Sequence, residues 1–225
     1  MMYLRKLTLV VIVGMIASFS VRAWGTVFPG SFHSIAVVKV AILIHAFFMV
    51  SHFLFWVMFY REYASVREGM LKRACLLPVV GSFAVSCLYL KRLLFVFGID
   101  GAIPTALMHP CVDALVPLVS SLLHLIFFVI FKRSMVPEEV RVLGRPVVSM
   151  MAGISLFLVL HVLVLANFIA TDRFHWLEHM SRTAAVGTLP VIIAAVCLML
   201  VFYCRFCRFL DVWYKRGIGG GGLQE

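Results

Sequence analysis

The chain has 225 residues, 63% hydrophobic and only 13% charged, with a formal net charge of +10. A mean hydropathy of +1.06 excludes an ordinary soluble domain. The positive balance does not point to nucleic acid either, because the basic residues form no stripe interleaved with aromatics. They gather at the ends of apolar runs, where they report membrane topology. The expected partner is the lipid bilayer, with other membrane subunits as further candidates and no nucleic acid.

Taken in order, Arg5 and Lys6 precede an apolar run from Leu7 to Phe19, which predicts a first span over about 4–23. A cleaved signal peptide competes with this reading, since Val21 and Ala23 are small residues before Trp24. A retained span is preferred, because chains with many later spans rarely need a cleaved signal. Further spans are predicted at about 35–60, 74–97, 105–131, 146–170 and 184–207, each long enough for the roughly 20 helical residues a bilayer requires. Helices are the only open-chain solution, because hydrocarbon offers no partner for an unpaired backbone group. The fold class is therefore an all-α integral membrane protein, a six-span helical bundle forming a single membrane domain over 1–225.

Orientation follows from the charges. With the N-terminus cytoplasmic, inner segments hold 14 of the 20 Lys and Arg residues, and the outer side keeps Arg22, Lys39, Lys91, Arg92, Arg173 and Arg182. That asymmetry places both termini in the cytoplasm and favours a bacterial inner membrane. Lys91 and Arg92 fit least well and are expected to snorkel outward from the end of the third span. The glycine-rich end, Gly217 to Gly222, makes 210–225 a flexible cytoplasmic tail.

An internal repeat is written into the second and fourth spans. His52–Arg61 reads HFLFWVMFYR and His124–Arg133, 72 residues on, reads HLIFFVIFKR. An ungapped shift of 72 matches 11 of the 49 positions from 52 to 100, among them His52/His124, Arg61/Arg133, Arg73/Arg145, Gly81/Gly153 and Asp100/Asp172. Apolar matches arise easily by accident; the return of a His, two Arg, a Gly and an Asp carries the weight. Spans two and three would then correspond to spans four and five in the same orientation, a parallel repeat about the membrane normal.

Polar groups at bilayer depth are the candidate sites. His45 and His52 are two turns apart and share a helix face. Helix rise places His52 and His124 at one depth, and His45 and His161 about 10 Å further out. The inner pair could ligate a single b-type haem across facing helices. The plainer reading is hydrogen bonding between helices, to a backbone carbonyl or to Ser51, Ser120 or Ser121 on a neighbouring helix. Phe48, Phe55, Phe127 and Phe128 lie close enough to fill the slot a haem would need. Near the outer interface, Asp113 and Lys39 either form an ion pair through one helix contact or snorkel to the headgroups. Pro117 should kink the fourth span and free a carbonyl.

Two weaker motifs remain. His175-Trp176-Leu177-Glu178-His179 has the H-x-x-E-H spacing of one zinc-peptidase class, and His175, His179 and Glu178 could hold a metal if His33, His109 or Asp172 supplied a further ligand. Otherwise the segment is an interfacial turn with Trp176 at the headgroups. Cys204-Arg-Phe-Cys207 is a C-x-x-C beside Arg205 and Arg208, a redox candidate without the βαβ setting such pairs normally have. Six cysteines in or near spans imply no disulfide framework.

Walker, dinucleotide and nucleophile-elbow motifs are all missing. The preferred function is non-enzymatic: transport by a small permease, or an integral subunit of a membrane complex. The alternatives are a one-haem electron carrier on His52 and His124, and a membrane enzyme holding a lipid-linked phosphate with Arg61, Arg73, Arg133 and Arg145.

Overall fold

A computed structural model describes residues 3–28, 34–65, 69–99, 110–171 and 182–215, and among these every regular element is helical. α1 (Tyr3–Val27) is followed by α2 (Ile35–Phe59), which runs on through a π-helical turn, Tyr60–Ala64. A short α3 (Met70–Ala74) leads into α4 (Leu76–Val96). The last three helices are α5 (Pro110–Ser134), α6 (Pro137–Thr171) and α7 (Arg182–Lys215). Six stretches are long and apolar enough to cross a membrane, α3 and α4 together making the third. The protein is a multi-pass membrane protein with a six-helix bundle.

The helices close into a ring. Each spanning helix packs on its neighbours in the chain, α2 against α4 directly, and α7 returns to pack on α1. Arg5 of α1 and Asp211 of α7 form an ion pair across that last seam. Outward-facing positions such as Leu43, Phe47, Phe83, Leu122, Val159 and Leu163 are exposed apolar side chains, a surface suited to a membrane.

Inside the ring the two ends differ. The end bearing both termini is packed with rings: Phe55, Trp56, Phe59, Tyr63, Phe127, Phe128, Phe131, Phe202, Tyr203 and Phe206 are all fully buried. Their contacts cross from helix to helix, with centroids 5.1 Å apart for Trp56–Phe127 and for Phe128–Phe202, and 5.5 Å for Phe59–Phe206. Most meet edge to face, the arrangement ring quadrupoles prefer, worth about 0.5–1.5 kcal/mol per pair beyond simple burial. The repeated string supplies much of this plug, since Phe55/Phe127 and Phe59/Phe131 are matched positions.

Local chemistry explains where helices begin and end. α4 stops in a Schellman motif: Gly98 has φ +75°, Ile99 N–H donates to Leu94 O at 3.0 Å and Gly98 N–H to Phe95 O at 3.0 Å. α6 begins at Pro137, nine residues before the predicted start at 146. Val136-Pro137-Glu138-Glu139 starts it: proline takes the first helical position, and Glu139 Oε2 accepts the Val136 N–H at 3.1 Å. The other oxygen of the buried Glu139 accepts the Tyr63 hydroxyl, tying the π turn to α6. The connection between α5 and α6 is thus only Met135 and Val136. The expected flexible tail also needs correction, since α7 continues to Lys215 and buries Leu210 and Trp213.

Gly81 and Gly153, which match at the 72-residue offset, mark close approaches. A Cβ on Gly81 would lie 3.0 Å from Ser120 Oγ, and one on Gly153 would lie 2.8 Å from Ala195 O and from Met199 Cγ. Gly153→Ala should therefore lower stability by about 1–3 kcal/mol through forced separation of α6 and α7. Gly187→Ala, at a helical site with nothing within 4 Å, should be neutral or stabilising by roughly 0.5–1 kcal/mol. Thermal unfolding of both variants in one detergent checks the contrast.

Candidate functional site

The other half of the ring encloses a chamber of about 960 Å³. It reaches from His52, Ser82 and His124 above the aromatic plug to Gly25, Val38, Arg92 and Asp113 at the far end. All four predicted intramembrane histidines line it. Lining positions also recur at the 72-residue offset: His52/His124, Ser82/Ile154, Val85/Phe157 and Tyr89/His161 all face the chamber, as do Phe48/Ser120 and Met49/Ser121.

The floor is a directed hydrogen-bond chain. Trp56 Nε1–H, which can only donate, reaches His52 Nε2 at 3.1 Å. That nitrogen must therefore be an acceptor, and Tyr203 Oη–H donates to it as well, at 2.9 Å. His52 is consequently neutral, with its proton on Nδ1, which faces Ser82 Oγ at 3.4 Å. Ser82 Oγ–H donates onward to His124 Nε2 at 3.2 Å. His124 Nδ1–H donates to the Ser120 carbonyl at 2.7 Å. The chain crosses α7, α2, α4 and α5, and every ring nitrogen in it is used. Ser86 fastens α4 to α2 beside it, its hydroxyl reaching Met49 O at 2.9 Å and Ser82 O at 2.8 Å.

This geometry does not suit a haem on His52 and His124. Axial imidazoles would aim two free nitrogens at each other, roughly 4 Å apart through the iron. Here the rings stack, with centroids 5.4 Å apart and planes at 17°, and all four nitrogens are held by protein groups. Trp56, T-shaped on His124 at 5.5 Å, and Phe48, 6.0 Å from His52, occupy the flanks. The chain is also no through-path for protons, since one end stops on a backbone carbonyl.

The upper level is built differently. His45 Nδ1–H donates to Ala41 O at 2.7 Å and the ring stacks on Tyr89 at 5.9 Å. His161 Nδ1 lies 3.3 Å from Ser121 Oγ, and its ring stacks on Phe157. Both imidazoles fall within electrostatic reach of Arg22. At the chamber's far end Asp113, in the first turn of α5 where the helix dipole favours an anion, pairs with Lys91 at 2.6 Å and Arg92 at 3.4 Å. The Lys39–Asp113 pair is not formed. Lys39 Nζ instead lies over the Phe97 ring, 4.9 Å from its centroid, because Lys91 and Arg92 supply the carboxylate from the adjacent helix. Those two cations turn inward rather than snorkelling.

The remaining candidates stand apart from the chamber. His33, His109, Asp172, His175, Glu178 and His179 lie outside the described residues, and among the described residues no three His, Cys, Asp or Glu side chains are grouped to hold a metal. Cys204 is exposed and Cys207 buried, both free thiols on α7. Arg61, Arg73, Arg133 and Arg145 are exposed at the end bearing the termini and do not line the chamber. Pro117 lines the chamber inside α5.

Reading from sequence missed Ser82, Trp56, Tyr203, Tyr89, Arg22 and Arg92. Trp56 was signalled by its i+4 spacing from His52, which puts both on one face. Comparison with protein-family models, characterised proteins and solved structures finds no match to this chain.

His52→Ala would strand the Tyr203 hydroxyl and the Trp56 N–H together, and should cost on the order of 3 kcal/mol. Tyr203→Phe leaves Trp56 still donating and should cost about 1 kcal/mol. Unfolding of the two variants, each compared with the parent protein, measures the difference.

Proposed function

We propose that this protein is a small permease whose chamber is entered from the end opposite its termini. The observation that carries this reading is the asymmetry inside the ring: about 960 Å³ of lined space on one side and a fully buried aromatic plug on the other. A chamber sealed by a packed plug at one face suits one state of an alternating-access cycle, and binding near mid-depth at a repeat interface is the usual arrangement. The excess of basic residues at the plugged end supports a cytoplasmic position for both termini. The shared lining positions support descent of spans two–three and four–five from one two-helix unit. Opening toward the cytoplasm would then part the rings of the plug and the hydrogen bond from Tyr203 to His52, whose combined strength would keep the resting protein sealed.

The polar floor and upper level suit a bound solute better than a catalytic reaction. The hydroxyls and imidazoles of the floor are committed to one another.

Side-resolved cysteine labelling tests this. In a background with the six native cysteines replaced by serine or alanine, Ser121→Cys in the chamber wall should react with a membrane-impermeant maleimide added to intact cells. Ser134→Cys, at the end bearing the termini, should react only from inside-out vesicles. Reaction of Ser121→Cys from the cytoplasmic face alone, or from neither face, would contradict the proposal.

A further inference from the structure

The chamber wall also specifies what kind of solute fits, an inference that rests on the permease reading. Three charged side chains line it among the described residues: Arg22, Arg92 and Asp113. Asp113 is already held by Lys91 at 2.6 Å and Arg92 at 3.4 Å. A cationic solute would have to compete with two resident cations for one carboxylate. An anion would meet an excess of positive charge: Arg92 shares the one carboxylate with Lys91 and lies over the Tyr89 ring at 5.1 Å, and the Arg22 guanidinium also lines the chamber. Guanidinium groups are the side chains best shaped to take a carboxylate or phosphate in two parallel hydrogen bonds. His45 and His161, below them, add ring nitrogens at the same level.

Beneath this level the wall turns apolar, with Phe48, Met49, Ile154, Phe157 and Ile192. At the bottom, the floor chain has spent its donors and acceptors on itself. It therefore presents mainly the imidazole rings of His52 and His124 to whatever descends that far. A solute charged at both ends would bury an uncompensated charge there, at heavy cost. The volume lies near the upper end of the roughly 300–1,000 Å³ typical of ligand sites, room for a body of several rings.

We propose that the chamber takes an amphipathic organic anion, its acidic head on Arg22 and Arg92 and its apolar body against the methionine- and phenylalanine-rich wall above the floor. Methionine suits such a wall because it adapts to irregular shapes.

The test uses one carbon skeleton with three heads. The full-length protein in nanodiscs is titrated with 1-pyrenebutyrate, its amide and 1-pyrenebutylamine, each corrected against empty nanodiscs. The acid should bind at least roughly tenfold tighter than either homologue, the scale of one charge-assisted contact. Arg22→Gln should remove about that tenfold preference, and Arg22→Lys, which keeps the charge and guards against a folding defect, should retain most of it. Ile192→Trp, filling the apolar wall, should weaken all three. Equal or tighter binding of the amide or amine would overturn the anion, as would an Arg22→Gln variant that folds and keeps full preference for the acid. Failure of all three to bind while Ser121→Cys is still labelled from outside would overturn the solute class alone. Failure of that labelling would remove the permease reading beneath it.

Discussion

One constraint orders this protein: hydrocarbon supplies no hydrogen bonds, so every polar atom inside the bundle must find its partner in the chain. The group that states it most sharply is His52. Its Nε2 receives a donor-only indole N–H at 3.1 Å and a phenol at 2.9 Å, which leaves its single proton on Nδ1 and fixes the direction of every later bond. Ser82 must accept from one imidazole and donate to the other, and His124 must end the chain on a carbonyl. Four helices are tied at one depth by groups that cannot be rearranged singly. A partly satisfied network would be worse than an apolar one.

The floor divides the interior into two regimes. Below it, rings from α2, α5 and α7 pack without a gap, held by dispersion and edge-to-face contacts, since a bilayer gives helices no hydrophobic reason to associate. Above it, the walls separate into a chamber with an apolar middle and a charged rim. Both regimes draw on the two similar strings that begin at His52 and His124: their histidines make the floor, their phenylalanines the plug. The glycines after them let α4 approach α5, and α6 approach α7. The same spacing thus serves the seal and the cavity.

Composition and charge were enough to read six helical spans, their approximate limits and the polarity difference between the two ends. The inward-facing histidines were legible as well, because an imidazole facing lipid would be costly. Partner choice was not. Which helix a side chain meets depends on how each helix is turned about its own axis, and spans that are apolar nearly all round carry little periodic signal to show it. So Asp113 was matched to Lys39 rather than to Lys91 and Arg92, and Tyr203, 151 residues from His52, could not be foreseen as its donor. Two boundary errors have a different origin. Pro137 followed by Glu138 and Glu139 signals the helix start, whereas the apolar run by itself begins only at Pro146. The tail was judged by its glycines, while Leu210 and Trp213 just before them had apolar surface to bury.

The central claim is the direction of the floor chain, and the tautomers of two histidines report it most directly. Solid-state NMR of the protein labelled with 15N-histidine, in lipid bilayers, distinguishes a protonated from an unprotonated ring nitrogen at each site. Spectra of the parent and of His52→Ala and His124→Ala assign the signals. The structure requires both His52 and His124 to be neutral, with Nδ1 protonated and Nε2 bare. A proton on Nε2 of His52, or a doubly protonated ring at either site, would contradict the chain and with it the floor of the chamber.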